Sequence, residues 1–171
     1  LALTLALAPT RRARGAPREP GGLALRQVGA ELRALSGAAP LDLRVNLLKG
    51  ARREALAALR AAGFAAVPTP YSPTGIRLAQ RSGTIELGQL PGLLEGRVEP
   101  QDEGSQLIAL LLGAQPGELV ADYCAGAGGK TLALAAAMGN RGRLWAMDID
   151  ERRLASGASR CAKAGSLLTP D

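Results

Sequence analysis

Residues 119–148 read LVADYCAGAGGKTLALAAAMGNRGRLWAMD, and the order of residue types in this stretch decides the fold. A short apolar run ends on Asp122. Glycines follow at 126, 128 and 129, then an alanine- and leucine-rich segment from Thr131 to Met138. A tight connection over residues 139–142 leads into a second short run, Arg143 to Asp148. This predicts strand, glycine loop, helix, turn and strand, which is half of a ligand-binding α/β sheet. Glycines in the loop let a backbone approach a ligand closely, because no Cβ intervenes. Asp148 falls about 20 residues after Gly128, where a carboxylate can accept hydrogen bonds from a ribose.

Three loop patterns compete for this segment. A phosphate-gripping loop, G-x-x-x-x-G-K-[ST], finds its end in Gly129-Lys130-Thr131, but Cys124 stands where its first glycine belongs. A dinucleotide loop, G-x-G-x-x-G, finds Gly126 and Gly128 but meets Thr131 at the third place. The third pattern is an acid followed by alternating small residues, Asp122-x-Cys124-x-Gly126-x-Gly128, and every position fits. It is the pattern of class I methyltransferases that use S-adenosyl-L-methionine (AdoMet). A ligand-free βα turn is the bland alternative; the flanking strand, helix and spaced acid weigh against it.

Asp122-Tyr123-Cys124-Ala125-Gly126-Ala127-Gly128-Gly129-Lys130-Thr131 resembles the cofactor loop of the RsmB/NOP/Sun-type RNA cytosine-5 methyltransferases, usually D-x-C-A-A-P-G-G-K-T. Gly126 replaces an alanine and Ala127 the proline, which predicts a looser turn. Two more patches resemble the family. Gly96, Gln101, Asp102, Ser105 and Gln106 match G-x-x-x-x-Q-D-x-x-S-Q, and Leu43-Arg44-Val45-Asn46-Leu47-Leu48-Lys49 is similar to L-R-V-N-T-L-K, with Leu47 in place of threonine. The resemblance covers about residues 40 to 165, with the patches in the family's order.

The resemblance implies an α/β fold: the start of a class I (Rossmann-like) methyltransferase domain over residues 101–171, preceded by a small RRM-like α+β module over 40–100 and a linker or helical remnant over 1–39. It implies AdoMet as cofactor, with Cys124, Ala125, Gly126, Ala127, Gly128, Gly129 and Lys130 around its amino acid portion and Asp148 on its ribose. It implies RNA as substrate, ribosomal and of the 16S kind, in a bacterial cytoplasm. In the family one cysteine thiolate adds to C6 of the cytosine and a second helps release the product, from motifs P-C and T-C. Neither motif occurs here, so the catalytic cysteines are expected beyond Asp171. Cys124 matches the cofactor-loop cysteine, and Cys161 reads as a small helix residue. The non-catalytic alternative is an RNA-binding protein on a methyltransferase scaffold.

Composition narrows the chemistry. Histidine is absent, which excludes histidine catalysis and histidine metal sites within these residues. Two cysteines without C-x-x-C spacing argue against zinc, and no metal is expected. One Phe, one Trp and two Tyr leave little for aromatic base stacking. The net charge of +6 suits a polyanion, or a solvated arginine-rich surface. The apolar run Leu1 to Ala8 is too short to span a membrane and lacks the flanks of a signal peptide. With no initial methionine, the chain reads as an internal piece of a monomeric protein.

The remaining elements follow from periodicity. Residues 10–22 read as an arginine-rich arm and Leu25 to Leu35 as a short helix. Leu41 to Leu47 alternates as a strand, and Ala51 to Ala62 is a helix stopped by Gly63, with Ala55, Leu56, Leu59 and Ala62 inward. Gly75 to Leu78 and Thr84 to Leu87 predict short strands. Gln101 to Leu112 predicts a helix burying Leu107, Ile108, Leu111 and Leu112. From Glu151 a further helix is expected, interrupted at Gly157, with Arg152, Arg153, Arg160 and Lys163 exposed. Two strands of a larger sheet would leave apolar faces uncovered.

Overall fold

The structure, a computed structural model, describes residues 22–36, 39–79 and 85–165. The readings of the apolar start and of most of the arginine-rich arm lie outside them. The chain divides after Ala39 into two units. The first holds one helix, α1 (Gly22–Leu35), with Val28 and Leu32 half-exposed. The second runs from Pro40 onward.

Its first part is a four-stranded antiparallel sheet built from β1 (Leu41–Val45), β2 (Ala66–Pro68), β3 (Gly75–Leu78) and β4 (Val98–Pro100), in the order β2-β3-β1-β4. Helix α2 (Arg52–Ala61) connects β1 to β2. Leu43 and Val45 project from β1 to meet Leu59, Ile76, Leu78 and Val98 in one apolar core. Helix α2 begins where Glu54 reaches back to accept the Ala51 amide at 3.2 Å. It stops at Gly63, whose φ of 84° suits only glycine comfortably. Of the expected stripe, Leu59 is buried, Ala55 and Leu56 are partly so, and Ala62 is exposed at the helix end.

Between β3 and β4 the expected strand at Thr84–Leu87 does not form among the described residues. Residue 84 lies outside them, and a 3-10 turn over Leu87–Gln89 follows. Leu90 goes into the core from that turn, so the segment plugs the sheet's face where a strand would have extended its edge.

The second part holds β5 (Leu119–Asp122) and β6 (Arg143–Ala146), paired in parallel with Asp122 opposite Ala146. Around them lie α3 (Glu103–Leu112), α4 (Gly129–Ala137) and α5 (Glu151–Ala164). Two expectations fail here. Helix α3 buries Glu103, Gln106 and Ala109, while Ile108, Leu111 and Leu112 are exposed and Leu107 is half-buried. The polar face wins because it finds partners. Glu103 Oε1 accepts the Tyr71 and Ser72 amides at 2.7 and 2.8 Å, and Gln106 donates to the carbonyls of Leu43 and Gln101. A buried polar group so satisfied no longer opposes burial. Second, α5 passes through Gly157 without interruption. That glycine is buried against the loop before α4, and a Cβ there would sit 3.2 Å from the Ala127 carbonyl carbon and 3.3 Å from the Gly128 nitrogen. It serves close approach rather than helix breaking.

Candidate cofactor site

The site lies where β5 and β6 end side by side. Past the last ladder pair, Met147 N donates to Asp122 O and Ala125 N to Met147 O, both at 2.9 Å. These bonds carry the pairing of the two strands into the loops that follow them. The β5 loop then turns sharply. Gly126 has φ 56° and Gly128 φ 81°, both left-handed, and Gly128 N closes the turn onto Ala125 O at 2.9 Å. Helix α4 starts immediately, with Gly128 as its N-cap. Its first amides point out of the helix end with no partner inside the helix.

Asp148 crosses between the two strand ends. Its Oδ2 accepts the Gly126 amide at 2.7 Å and its Oδ1 accepts the Asp150 amide at 3.0 Å. The donations from Asp150 and Gly126, helped by nearby Arg153, hold this carboxyl below its ordinary pKa against a smaller opposing effect of burial. Asp148 is therefore an anion at neutral pH. A carboxylate offers about four acceptor positions, so two bonds leave room for vicinal hydroxyls.

The structure thus brings Asp148 directly onto Gly126. Ala125, Gly126 and Gly128 are buried; Ala127, Gly129 and Lys130 are half-buried; Cys124 is exposed at the loop's start. Cys161 is buried on α5, where burial pushes its thiol up and disfavours the thiolate. Among the described residues no cluster of His, Cys, Asp and Glu could hold a metal ion.

Three side chains matter here beyond the predicted set. Asp122 accepts the Thr131 hydroxyl at 2.7 Å, tying the end of β5 to the first turn of α4. Arg153 spreads its guanidinium over Gly126, 2.5 Å from where a Cβ would stand. Arg160 is not the exposed residue expected: it donates through Nη1 to Ala127 O at 2.8 Å and through Nε to Glu99 Oε2 at 3.1 Å. A helical spacing would have found it, since Arg153, Gly157, Arg160, Cys161 and Ala164 fall on one stripe of α5.

The other two sequence patches meet in a polar seam. Arg44 Nε donates to Gln101 Oε1 at 2.6 Å. Burial lowers the Arg44 pKa to about 10, opposed by Glu99, so it stays a cation at neutral pH. Asn46 Nδ2 donates to the carbonyls of Gly96 and Ala164, and Lys49 Nζ to those of Glu95 and Lys163. The residues of both patches are thus occupied in joining the antiparallel sheet to α3 and α5.

Comparison with known proteins agrees with this layout. Residues 26–84 match the family described as Methyltr_RsmF/B-like, ferredoxin-like domain, and residues 109–166 match 16S rRNA methyltransferase RsmB/F. The chain belongs to the RsmB/F-type methyltransferases. It is 41% identical over 115 residues to the ribosomal RNA small subunit methyltransferase B of Pseudomonas putida, covering 67% of this chain and 26% of that protein. The enzyme of the same name from Proteus mirabilis is 39% identical over 116 residues, again covering 26% of the relative. The chain therefore spans about a quarter of the length of the curated relatives it matches. Among solved structures, a methyltransferase homologue from Pyrococcus horikoshii is 32% identical with a TM-score of 0.72, covering 80% of this chain and 44% of that one. NSun6 from the same organism, crystallised with SFG, shares the fold with a TM-score of 0.76 at 16% identity, over 85% of this chain and 62% of its own.

The ferredoxin-like family description and the strand order of the antiparallel sheet agree with the RRM-like reading of the first module. Among the described residues no helix is long and apolar enough to cross a membrane.

Proposed function

We propose that these residues form the RNA-binding module and the cofactor-binding beginning of an AdoMet-dependent RNA cytosine-5 methyltransferase that acts on 16S ribosomal RNA in the cytoplasm. Residues 40–100 are the RNA-binding module and 101–171 the start of the catalytic domain, with 1–39 preceding both. The observation that carries the reading is the Gly126–Asp148 hydrogen bond. It joins a glycine loop and a spaced acid at the ends of adjacent parallel strands, where an α/β sheet binds nucleosides.

When bound, AdoMet supplies an electrophilic methyl group on a sulfonium. The chain's own residues bind and orient it. The backbone from Cys124 to Lys130 would hold the amino acid portion, its turn packed so closely on α5 that a Cβ at Gly126 or Gly128 would meet Arg153 or Gly157. Asp148, already ionised and fixed by two amides, accepts the ribose hydroxyls. Asp122 and Thr131 keep the loop's two ends together. Neither cysteine serves as nucleophile: Cys161 is buried as a thiol, and Cys124 belongs to the loop. The attacking thiolate comes from elsewhere in the whole enzyme.

RNA contact falls to the module and to exposed cations such as Arg53 and Arg152, because Arg44, Arg77, Lys49 and Arg160 are engaged internally. The test is calorimetric titration of the 171-residue chain with AdoMet and, separately, with ATP. Saturable AdoMet binding without comparable ATP binding is expected. Tighter binding of ATP would return the loop to the phosphate-gripping class.

A further inference from the structure

The cofactor loop lacks the proline that stiffens the family's form, yet its carbonyl at that position is held from outside. Arg160 Nη1 donates to Ala127 O at 2.8 Å. The same guanidinium is pinned by Glu99 Oε2, which accepts from Nε at 3.1 Å and also from Nη2. Glu99 lies on β4, is 4% exposed, and stands opposite Arg44 in the ladder with β1. The chain of contact therefore begins in the antiparallel sheet and ends on the loop backbone.

Helix α5, which carries Arg160, is itself clamped to that sheet. Asn46 bridges Gly96 O and Ala164 O at 3.0 and 2.9 Å, and Lys49 donates to Lys163 O. The backbone at Gly96 comes so near that a Cβ there would lie 2.7 Å from Lys163 O. One helical turn before Arg160, Gly157 packs directly on Gly128. Thus α5 touches the loop through Arg153, Gly157 and Arg160, and the sheet and the residues flanking it through Arg160, Lys163 and Ala164.

We propose that Arg160, held by Glu99, is a positioning residue for the cofactor loop, through which the ferredoxin-like module sets the loop's geometry and so its affinity for AdoMet. With alanine rather than proline at 127, the loop's carbonyl there is positioned by a fork that presents planar, fixed donors to a carboxylate and a carbonyl at once. Lysine has three donors but on a single nitrogen, so it lacks the planar fork that gives Nη1 to the carbonyl and both Nε and Nη2 to the carboxylate. The affinity half of the proposal rests on the AdoMet reading above; the positioning half does not.

The experiment separates the two halves. Amide hydrogen exchange is followed in the 171-residue chain without ligand, as wild type, Arg160→Met, Arg160→Lys and Glu99→Gln. The Met variant should exchange roughly tenfold faster at the amides of Gly128 and Leu132, with β1–β3 amides of the sheet unchanged. Glu99→Gln and Arg160→Lys should fall between it and wild type. Equal acceleration in loop and sheet would reveal only general loosening and overturn the proposal, as would an unchanged loop. AdoMet titration of the same proteins should then rank in the same order. Loosened loops with wild-type affinity would overturn the coupling to binding. A wild type that binds no AdoMet would overturn the cofactor reading and the coupling with it, while the exchange data still decide the positioning role.

Discussion

Asp148 shows how two backbone amides hold the charge of one side chain. Gly126 and Asp150 donate to it, so its charge is fixed before any ligand arrives. Asp148→Asn keeps the size but loses the anion, and should weaken AdoMet binding roughly ten- to a hundredfold, the scale of hydrogen bonds to a charged group; calorimetry reads this, and unchanged affinity would remove Asp148 from the site. Glu103 follows the same logic in the seam. Burial raises its pKa, but donation from the Ser72 and Tyr71 amides, a hydrogen bond from Thr69 and the Arg77 charge outweigh that and leave it lowered. A carboxyl lowered in the folded state stabilises the fold above its unfolded value, and that stability is lost as pH falls through the folded one. Glu103→Gln should therefore flatten the loss of stability in acid below about pH 4.5, measured by urea unfolding at a series of pH values. Gly157 poses a contest of magnitudes. Alanine there gains about 1 kcal/mol of helix propensity. Its Cβ would meet loop backbone at 3.2 Å, however, and that backbone is held by Arg160 and Asp148 and cannot give way easily. Overpacking of this kind costs about 1–3 kcal/mol, so a net loss of stability in thermal melts is expected for Gly157→Ala.

At the scale of elements, the parallel β5–α4–β6 part was legible because its signals are local. The Gly126 and Gly128 turn, the apolar α4 and the distance to Asp148 all lie within one βαβ stretch, and the structure forms β5, α4 and β6 there. The α2 stripe and its Gly63 stop were equally local. Helix α3 was misread because its inward face is decided by partners remote in sequence. Nothing near Gln106 announces that its amide will meet the Leu43 carbonyl. The same holds for Asn46 and Lys49, which cap the carbonyl end of α5. Long-range polar pairing leaves no periodicity to read. It does leave a stability consequence. Arg44→Ala would leave Gln101 Oε1 without its donor and Glu99 with one cation fewer in a buried seam, which should cost about 3 kcal/mol in chemical denaturation.

For the whole molecule, two sheets of different kind meet at a polar seam that engages Arg44, Lys49, Arg77 and Arg160 internally. What remains exposed includes Arg53 and Arg152, with Lys163 at the end of α5. The outer face of α3 and the face of the parallel pair stay apolar and open: Leu111 is 85% exposed and Leu119 62%. On the proposed reading, the chemistry is divided. Forming the covalent bond to C6 of cytosine needs an accessible thiolate beside a base drawn out of its stack. Here Cys161 lies buried against Leu132 and Ala164 with its thiol pushed up, and Cys124 opens the loop whose backbone is assigned to the cofactor. The 171-residue chain should accordingly form no covalent adduct with RNA containing 5-fluorocytosine and transfer no labelled methyl group. Denaturing gel shift and scintillation counting read the two outcomes, with the whole enzyme as positive control. An adduct formed by the chain and abolished by Cys124→Ser would place the nucleophile in the loop itself. The loop would then have to hold substrate rather than cofactor, and Asp148 would lose its role at the ribose.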